Sequence, residues 1–222
     1  MKVVILSGAG MSAESGLKTF RDSNGLWEGH DVMEVASPQG FRNNPQIVLD
    51  FYNQRRRQLQ QVQPNQAHID IANLENDHEV IVITQNVDDL HERAGSSHVV
   101  HLHGELLKVR SSYDENSIRD WRTDLNIGDT CERGYQLRPH IVWFGEPVPM
   151  MNVAVNWVSK ADAIIIVGTS MQVYPAAGLM HYAKNNITIY FVDPNPSIRS
   201  SDNIIVFSEK ATIGIPKVLR LL

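Results

Sequence analysis

Three groups of residues in this chain could do chemistry. The first joins Gln85, Asn86 and Asp88 to two histidines further on, His101 and His103. An amide and a carboxylate suit a carboxamide and ribose hydroxyls, since together they offer acceptors with a donor between them. A neutral imidazole near pH 7 accepts a proton from a hydroxyl, which is the work of a general base. His101 and His103 alternate at a period of two and would share one face of a strand. Only His103 is followed by a glycine, Gly104, where the strand must end and the backbone can pass close to a ligand. The second group is Tyr52 and Arg55, three apart in a helical stretch and so on one face. A phenol beside a guanidinium makes a receptor for a carboxylate, with arginine giving a forked donor pair. The third is a small-residue turn, Gly8-Ala9-Gly10-Met11-Ser12-Ala13, which follows an apolar run as G-x-G-x-x-A. That is a permitted form of the dinucleotide fingerprint. Gly8 would let the strand turn sharply, and Gly10 would let backbone N–H groups approach a pyrophosphate at a helix N-terminus.

Each group has an ordinary alternative. Asp88 could cap a helix starting near Leu90 as an Asx turn. Arg55, Arg56 and Arg57 form a charge run, and such runs usually face water. His101 suits a packed strand histidine, and His30, His68, His78, His98 and His181 show no identifiable partner. Two further turns, Gly168-Thr169-Ser170 and Asp193-Pro194-Asn195, follow apolar runs and could hold phosphate, ribose or adenosine through backbone groups. Turns of this composition occur in any protein.

The elements that would position these groups are legible as an alternation. Apolar or β-branched runs at 3–6, 80–84, 99–102, 141–144, 163–167, 188–192 and 203–206 read as strands, several of them apolar on both faces. Helical stretches at 45–61, 64–75, 153–161, 176–185 and 213–222 lie between them, with Pro45 and Pro64 at helix starts. This predicts an α/β fold: a Rossmann-like, mostly parallel sheet with helices on both faces. Two polar excursions, about 26–63 and 108–138, would form a small inserted lobe, leaving 1–25, 64–107 and 139–222 as the large lobe of a single domain. A cleft between the two would suit a ligand.

The 222 residues, 42% hydrophobic and 20% charged, are enough for a full core without disulfide or metal staples. A net charge of −5 points to no nucleic-acid or membrane surface. With one cysteine, Cys131, the chain can hold neither an internal disulfide nor a four-cysteine zinc site. No apolar run reaches membrane-span length, and a strand beginning at Val3 leaves no room for a signal peptide, so a cytoplasmic monomer is the expectation. Hydride transfer is disfavoured. A dehydrogenase needs a second strand ending in an acidic residue about 20 residues past the glycines. Glu28 and Asp31 fall at that distance with no strand before them.

Taken together, the motifs resemble the sirtuins, the NAD-dependent protein deacylases. The resemblance rests on Gly8-Ala9-Gly10-Met11-Ser12, Thr19-Phe20-Arg21-Asp22, Thr84-Gln85-Asn86-Val87-Asp88 and His101-Leu102-His103-Gly104, then residues 139–146, 168–170 and 193–195, all in order. It implies NAD as a consumed co-substrate, contacted by Gly8, Ala9, Gly10, Ser12, Phe20, Arg21, Gln85, Asn86, Asp88, Gly168, Thr169, Ser170, Asp193, Pro194, Asn195 and Ala211. His103 would be the catalytic base, with Asn86 and Asp88 at the nicotinamide end. Ile141, Val142, Phe144 and Gly145 would line the path of an acylated lysine, pairing with its peptide as an added strand. The Tyr52-Asn53-Gln54-Arg55 sequence matches the pair found in the desuccinylase and demalonylase subgroup. Removal of succinyl, malonyl and acetyl groups with release of nicotinamide and O-acyl-ADP-ribose is therefore expected. A plain deacetylase, a mono-ADP-ribosyltransferase using the same NAD site and an NAD-sensing module are the alternatives.

One departure stands out. Most sirtuins carry four cysteines near residues 108–138, where this chain has only Cys131, with Ser111 in place of a first ligand. No zinc is expected, and the small lobe would be held by packing around Trp121, Leu125 and Tyr135. Elemental analysis of the purified protein should find far less than one equivalent of zinc per chain; about one equivalent would refute this.

Overall fold

The computed structural model describes residues 1–18, 26–27 and 29–222. The Thr19-Phe20-Arg21-Asp22 motif, with the cofactor contacts expected of Phe20 and Arg21, lies outside the described residues. In chain order the strands are β1 (Lys2–Ser7), β2 (Leu26–Trp27), β3 (His30–Asp31), β4 (Glu79–Thr84), β5 (Val99–His101), β6 (Gly104–Ser111), β7 (Ile118–Asp120), β8 (Leu137–Ile141), β9 (Ala163–Val167), β10 (Thr188–Val192) and β11 (Ile204–Phe207). The α-helices are α1 (Ala9–Ala13), α2 (Val32–Val35), α3 (Pro38–Asn43), α4 (Pro45–Leu59), α5 (Gln66–Asn73), α6 (Leu90–Ala94), α7 (Met151–Val158) and α8 (Ala211–Leu219).

Six parallel strands form the main sheet in the order β11-β10-β9-β1-β4-β5. Side chains of β1 alternate between two cores. Val3 and Ile5 pack beneath α5 and α8, whereas Val4 and Leu6 pack against α7. Both faces of the strand are covered, which is why its sequence is apolar throughout. The chain leaves β1 toward β4 and β5, then returns to β9 on the other side. The switch point of this α/β sheet therefore lies between the carboxyl ends of β1 and β9, where such folds open a ligand crevice.

Helix α4 starts as its sequence dictates, with Pro45 in the first turn and the Asn44 side chain accepting from the Ile47 N–H. Pro64 instead precedes the helix boundary. The side chain of Asn65 caps α5 and exchanges bonds with His68, so His68 has a partner after all. The helix expected at 176–185 is a 3₁₀ helix over Ala176–Tyr182.

Between β5 and α7 the structure departs further from the expectation. A three-stranded antiparallel sheet, β7-β6-β8, begins directly after His103. The strand expected at 141–144 ends at Ile141, and the next N–H groups bond elsewhere: Val142 to the His103 carbonyl, Trp143 to Glu146, Phe144 to the Ala36 carbonyl. Gly104 is required by this sheet rather than by a ligand. It has φ +81°, and a Cβ there would overlap the His140 carbonyl oxygen. Leu125 and Trp121 do pack in the small core, together with Leu49, Val109, Cys131 and Leu137, but Tyr135 is exposed and stacks on Tyr113. Ser111 accepts the N–H groups of Tyr113 and Asp114 and donates to the Cys131 sulfur at 3.4 Å. Among the described residues no cluster of three or more His, Cys, Asp or Glu side chains could hold a metal ion. No described helix is long and apolar enough to cross a membrane.

The fingerprint glycines have a different reason from the expected one. Gly8 is extended, with φ −132°. A Cβ on it would lie 2.7 Å from the Thr169 Cβ, and one on Gly10 would lie 2.8 Å from the Gly168 Cα. The two N–H groups are also committed, Gly8 to the Val167 carbonyl at 3.0 Å and Gly10 to the Gly168 carbonyl at 2.8 Å. Neither is available to a pyrophosphate. The glycines let the turns after β1 and β9 lock together. Gly168 closes the lock from the other side, with φ +62° and a Cβ position that overlaps the Met11 backbone nitrogen. Gly168→Ala should therefore cost about 2–4 kcal/mol of stability. Gly134→Ala, at φ +80° with open space around it, should cost only about 1 kcal/mol. Urea unfolding of both variants checks this, and equal losses would remove the turn contact as the cause.

Candidate active site

One cavity of about 780 Å³ runs across the carboxyl edge of the main sheet and under α4. Its wall includes three strand-end turns: Gly8, Ala9, Gly10 and Ser12 after β1, Gly168, Thr169 and Ser170 after β9, and Asp193, Pro194 and Asn195 after β10. Gln85, Asn86, Asp88 and His103 line the same cavity. So do Tyr52, Arg55, Ile141, Val142, Phe144 and Gly145. The structure thus brings together every expected site residue that it describes, with one exception. Ala211 packs into the core beside Ile215 and Val218, and its neighbour Lys210 lines the cavity instead.

The central residues form one hydrogen-bonded unit. The Ser12 hydroxyl donates to Asp88 Oδ2 at 2.9 Å. Asn86 Nδ2 donates to the Gly8 carbonyl and the Ser12 hydroxyl, each at 3.1 Å. Gln85 Nε2 reaches the Thr169 hydroxyl at 3.1 Å, linking the turns after β4 and β9. Asp88 Oδ1 also accepts from the Leu90 N–H, so the Asx-turn alternative holds alongside the placement in the cavity. Burial pushes the Asp88 carboxyl up to about 6, against the pull of its Ser12 and Leu90 bonds.

Two histidines that look alike in sequence have opposite electrostatics. His103 Nδ1 lies 3.0 Å from the Gln85 carbonyl oxygen, which can only accept, so Nδ1 carries the proton and Nε2 keeps its lone pair. Burial lowers its pKa, against the pull of that carbonyl. His103 is therefore neutral at pH 7. His101 Nδ1 meets the Asn86 carbonyl at 3.0 Å and its Nε2 meets Glu92 at 2.6 Å, so both nitrogens donate. Burial opposes that charge, but the Glu92 bond and ion pair outweigh it and raise the pKa. The expected shared face does not occur. His101 lines a separate, smaller cavity with Glu92 and Arg93.

The basic run on α4 is not a solvated face. Arg55 is 9% exposed and Arg56 fully buried, while Arg57 pairs with Asp124 at the surface. Arg56 donates to the Leu106 carbonyl and to Asn53, tying α4 to β6. Tyr52 is fully buried and accepts a hydrogen bond from the Trp143 indole N–H at 2.9 Å. Trp143 lies on the cavity wall within the 141–145 segment expected along the lysine path, and Glu146 closes the same motif. Sequence reasoning missed Ala36 and Lys210, which no motif marked.

A family model for the Sir2 family matches residues 8–175. The chain is 59% identical over 224 residues to an NAD-dependent protein deacylase of Helicobacter pylori (strain J99), covering 99% of this chain and 96% of that one. An NAD-dependent protein deacylase of Bacteroides thetaiotaomicron is 50% identical over 227 residues, at 99% and 97% coverage. Among solved structures, a Sir2 homologue in complex with NAD superposes with a TM-score of 0.87 at 38% identity, covering 99% of this chain and 88% of the other. A Sir2 structure with a p53 peptide and NAD+ gives 0.80 at 28% identity, with 99% and 92% coverage. The chain belongs to the Sir2 family.

The pH dependence of the site follows from the two shifts. A histidine in the place of His103 can take up a proton only when neutral, and Asp88 offers unprotonated acceptors at both oxygens only when ionised. Both forms are lost on acidification, Asp88 near 6 and His103 below its ordinary value. The acid limb of kcat/KM should therefore fall below about pH 6 with a slope steeper than one proton. A midpoint above pH 7 would contradict the neutral His103.

Proposed function

We propose that this protein removes acyl groups ending in a carboxylate, succinyl and malonyl, from lysine side chains of proteins, and acetyl groups as well. The wider class follows from family membership: the chain is an NAD-dependent protein deacylase of the sirtuin type. What carries the finer reading is the burial of Tyr52 and Arg55 together in the wall of the cavity that also holds His103. The Arg55 guanidinium is removed from bulk water, stacked on the Phe51 ring at 3.5 Å with one nitrogen donating to the Phe51 carbonyl, and lines the same wall as the Tyr52 phenol. Its forked donors suit an anionic acyl terminus, whereas an acetyl methyl would gain nothing from them.

The residues present fit NAD by their donor chemistry. Asn86 spends its amide donor on Gly8 and Ser12, leaving Oδ1 to accept from a carboxamide N–H. Asp88, Gln85 and the turns after β9 and β10 supply acceptors and backbone donors for ribose and phosphate oxygens. Bound NAD would supply an electrophilic ribose carbon whose bond to nicotinamide can break in favour of an acyl oxygen. His103 Nε2, with the Gln85 carbonyl holding the proton of the other nitrogen, would be the group to take the proton of a ribose hydroxyl. Ile141, Val142, Phe144 and Gly145 flank the substrate lysine. Residues 1–222 act as one catalytic domain whose small sheet is held without zinc.

Arg55→Met tests the acyl preference. Losing a charged donor should lower kcat/KM for a succinyl-lysine peptide about 10- to 100-fold, with a much smaller loss on the acetyl-lysine peptide of the same sequence. Steady-state kinetics on both peptides decides it; equal losses would take Arg55 out of the acyl pocket.

A further inference from the structure

We propose that Trp143 is a positioning residue for acyl selectivity: its indole N–H, donated to the Tyr52 hydroxyl, orients that phenol toward acyl chains ending in a carboxylate. The inference rests on the reading of Tyr52 and Arg55 as the acyl pocket and adds the group that sets their geometry.

Trp143 is 2% exposed, and its Nε1 lies 2.9 Å from the Tyr52 oxygen. A buried indole N–H needs an acceptor, and an indole can only donate. The phenol oxygen must therefore receive this bond on a lone pair, which turns its own proton away from Trp143. Tyr52 lines the cavity beside Arg55, so the indole bond controls how the phenol donates there. The phenol is also kept protonated, since burial pushes its pKa up.

Trp143 is itself fixed from three sides. The Arg138 guanidinium stacks on its ring at 3.4 Å, and Phe41 packs against it at 5.3 Å between centroids. Its backbone N–H donates to Glu146 Oε2 at 2.8 Å. Glu146 in turn gathers Arg138 at 2.6 Å and Arg110 at 3.1 Å. Two buried guanidinium groups thus meet one carboxylate, leaving an excess of positive charge behind the wall that holds Tyr52. A carboxylate in the pocket would feel that charge at low local dielectric; a neutral acyl chain would not.

Replacing Trp143 tests this. Trp143→Phe keeps a ring for the Arg138 stack and removes the donor. Incorporating 3-benzothienylalanine at the same position keeps the bicyclic shape without the N–H, which covers the case in which the smaller ring fails to fold. With succinyl-lysine and acetyl-lysine peptides of one sequence at saturating NAD, either variant should lower the succinyl-to-acetyl ratio of kcat/KM. The loss should be about fivefold, the value of one neutral hydrogen bond, and should act through KM for the succinyl peptide. Combining Trp143→Phe with Tyr52→Phe should lower the ratio no further than Tyr52→Phe alone, because Trp143 acts through that hydroxyl. An unchanged ratio, equal losses on both peptides, or additive effects would overturn the proposal. If Tyr52→Phe and Arg55→Met themselves leave the ratio unchanged, the acyl-pocket reading falls and this proposal with it. If they lower it and the Trp143 variants do not, only the role of Trp143 falls.

Discussion

The structure depends on the lock between two strand-end turns. Gly8 and Gly10 after β1 press against Gly168 and Thr169 after β9, closely enough that a single added carbon on any of the three glycines would collide. This contact sits at the switch point of the sheet, where the chain reverses direction and a crevice must open. It ties the floor of that crevice to the β-strand core rather than to loops. Asn86 then bonds to the Gly8 carbonyl, and Gln85 to Thr169. The segment after β4 is thereby registered on the same lock, and the histidines are registered on that segment.

Backbone carbonyls of residues 85 and 86 hold the two histidine rings in the same way. Each accepts from the Nδ1 of one ring, Gln85 from His103 and Asn86 from His101. The difference lies at the other nitrogen. His101 faces the Glu92 carboxylate and is held as a cation, while His103 lines the large cavity and is kept neutral by burial. Two rings two residues apart are separated into an ion-paired histidine and a neutral one, with a carboxylate on α6 beside only the first.

Much of the main sheet was legible because its strands are buried on both faces and so are apolar throughout. The runs at 163–167 and 188–192 match β9 and β10 to the residue. The small sheet was harder. Strand β6 contains Lys108 and Arg110, and its partner β8 contains Arg138, so charged residues hid a strand whose arginines are in fact buried around Glu146. The burial of Arg55 and Arg56 was hidden for the same reason, since a run of three arginines looks solvated until β6 and the Asn53 amide are seen to cover it. The site's side chains could be named from their motifs, but their protonation could not. A carbonyl acceptor leaves no trace in the residue type that carries it, so the tautomer of His103 needed coordinates.

The central claim is that NAD is cleaved here to carry off an acyl group. The most direct measurement is mass spectrometry of a succinyl-lysine peptide incubated with the protein and NAD. The account predicts equal amounts of free-lysine peptide, nicotinamide and O-succinyl-ADP-ribose. An ADP-ribosylated product with its succinyl group intact, or NAD consumed while the peptide stays acylated, would contradict it.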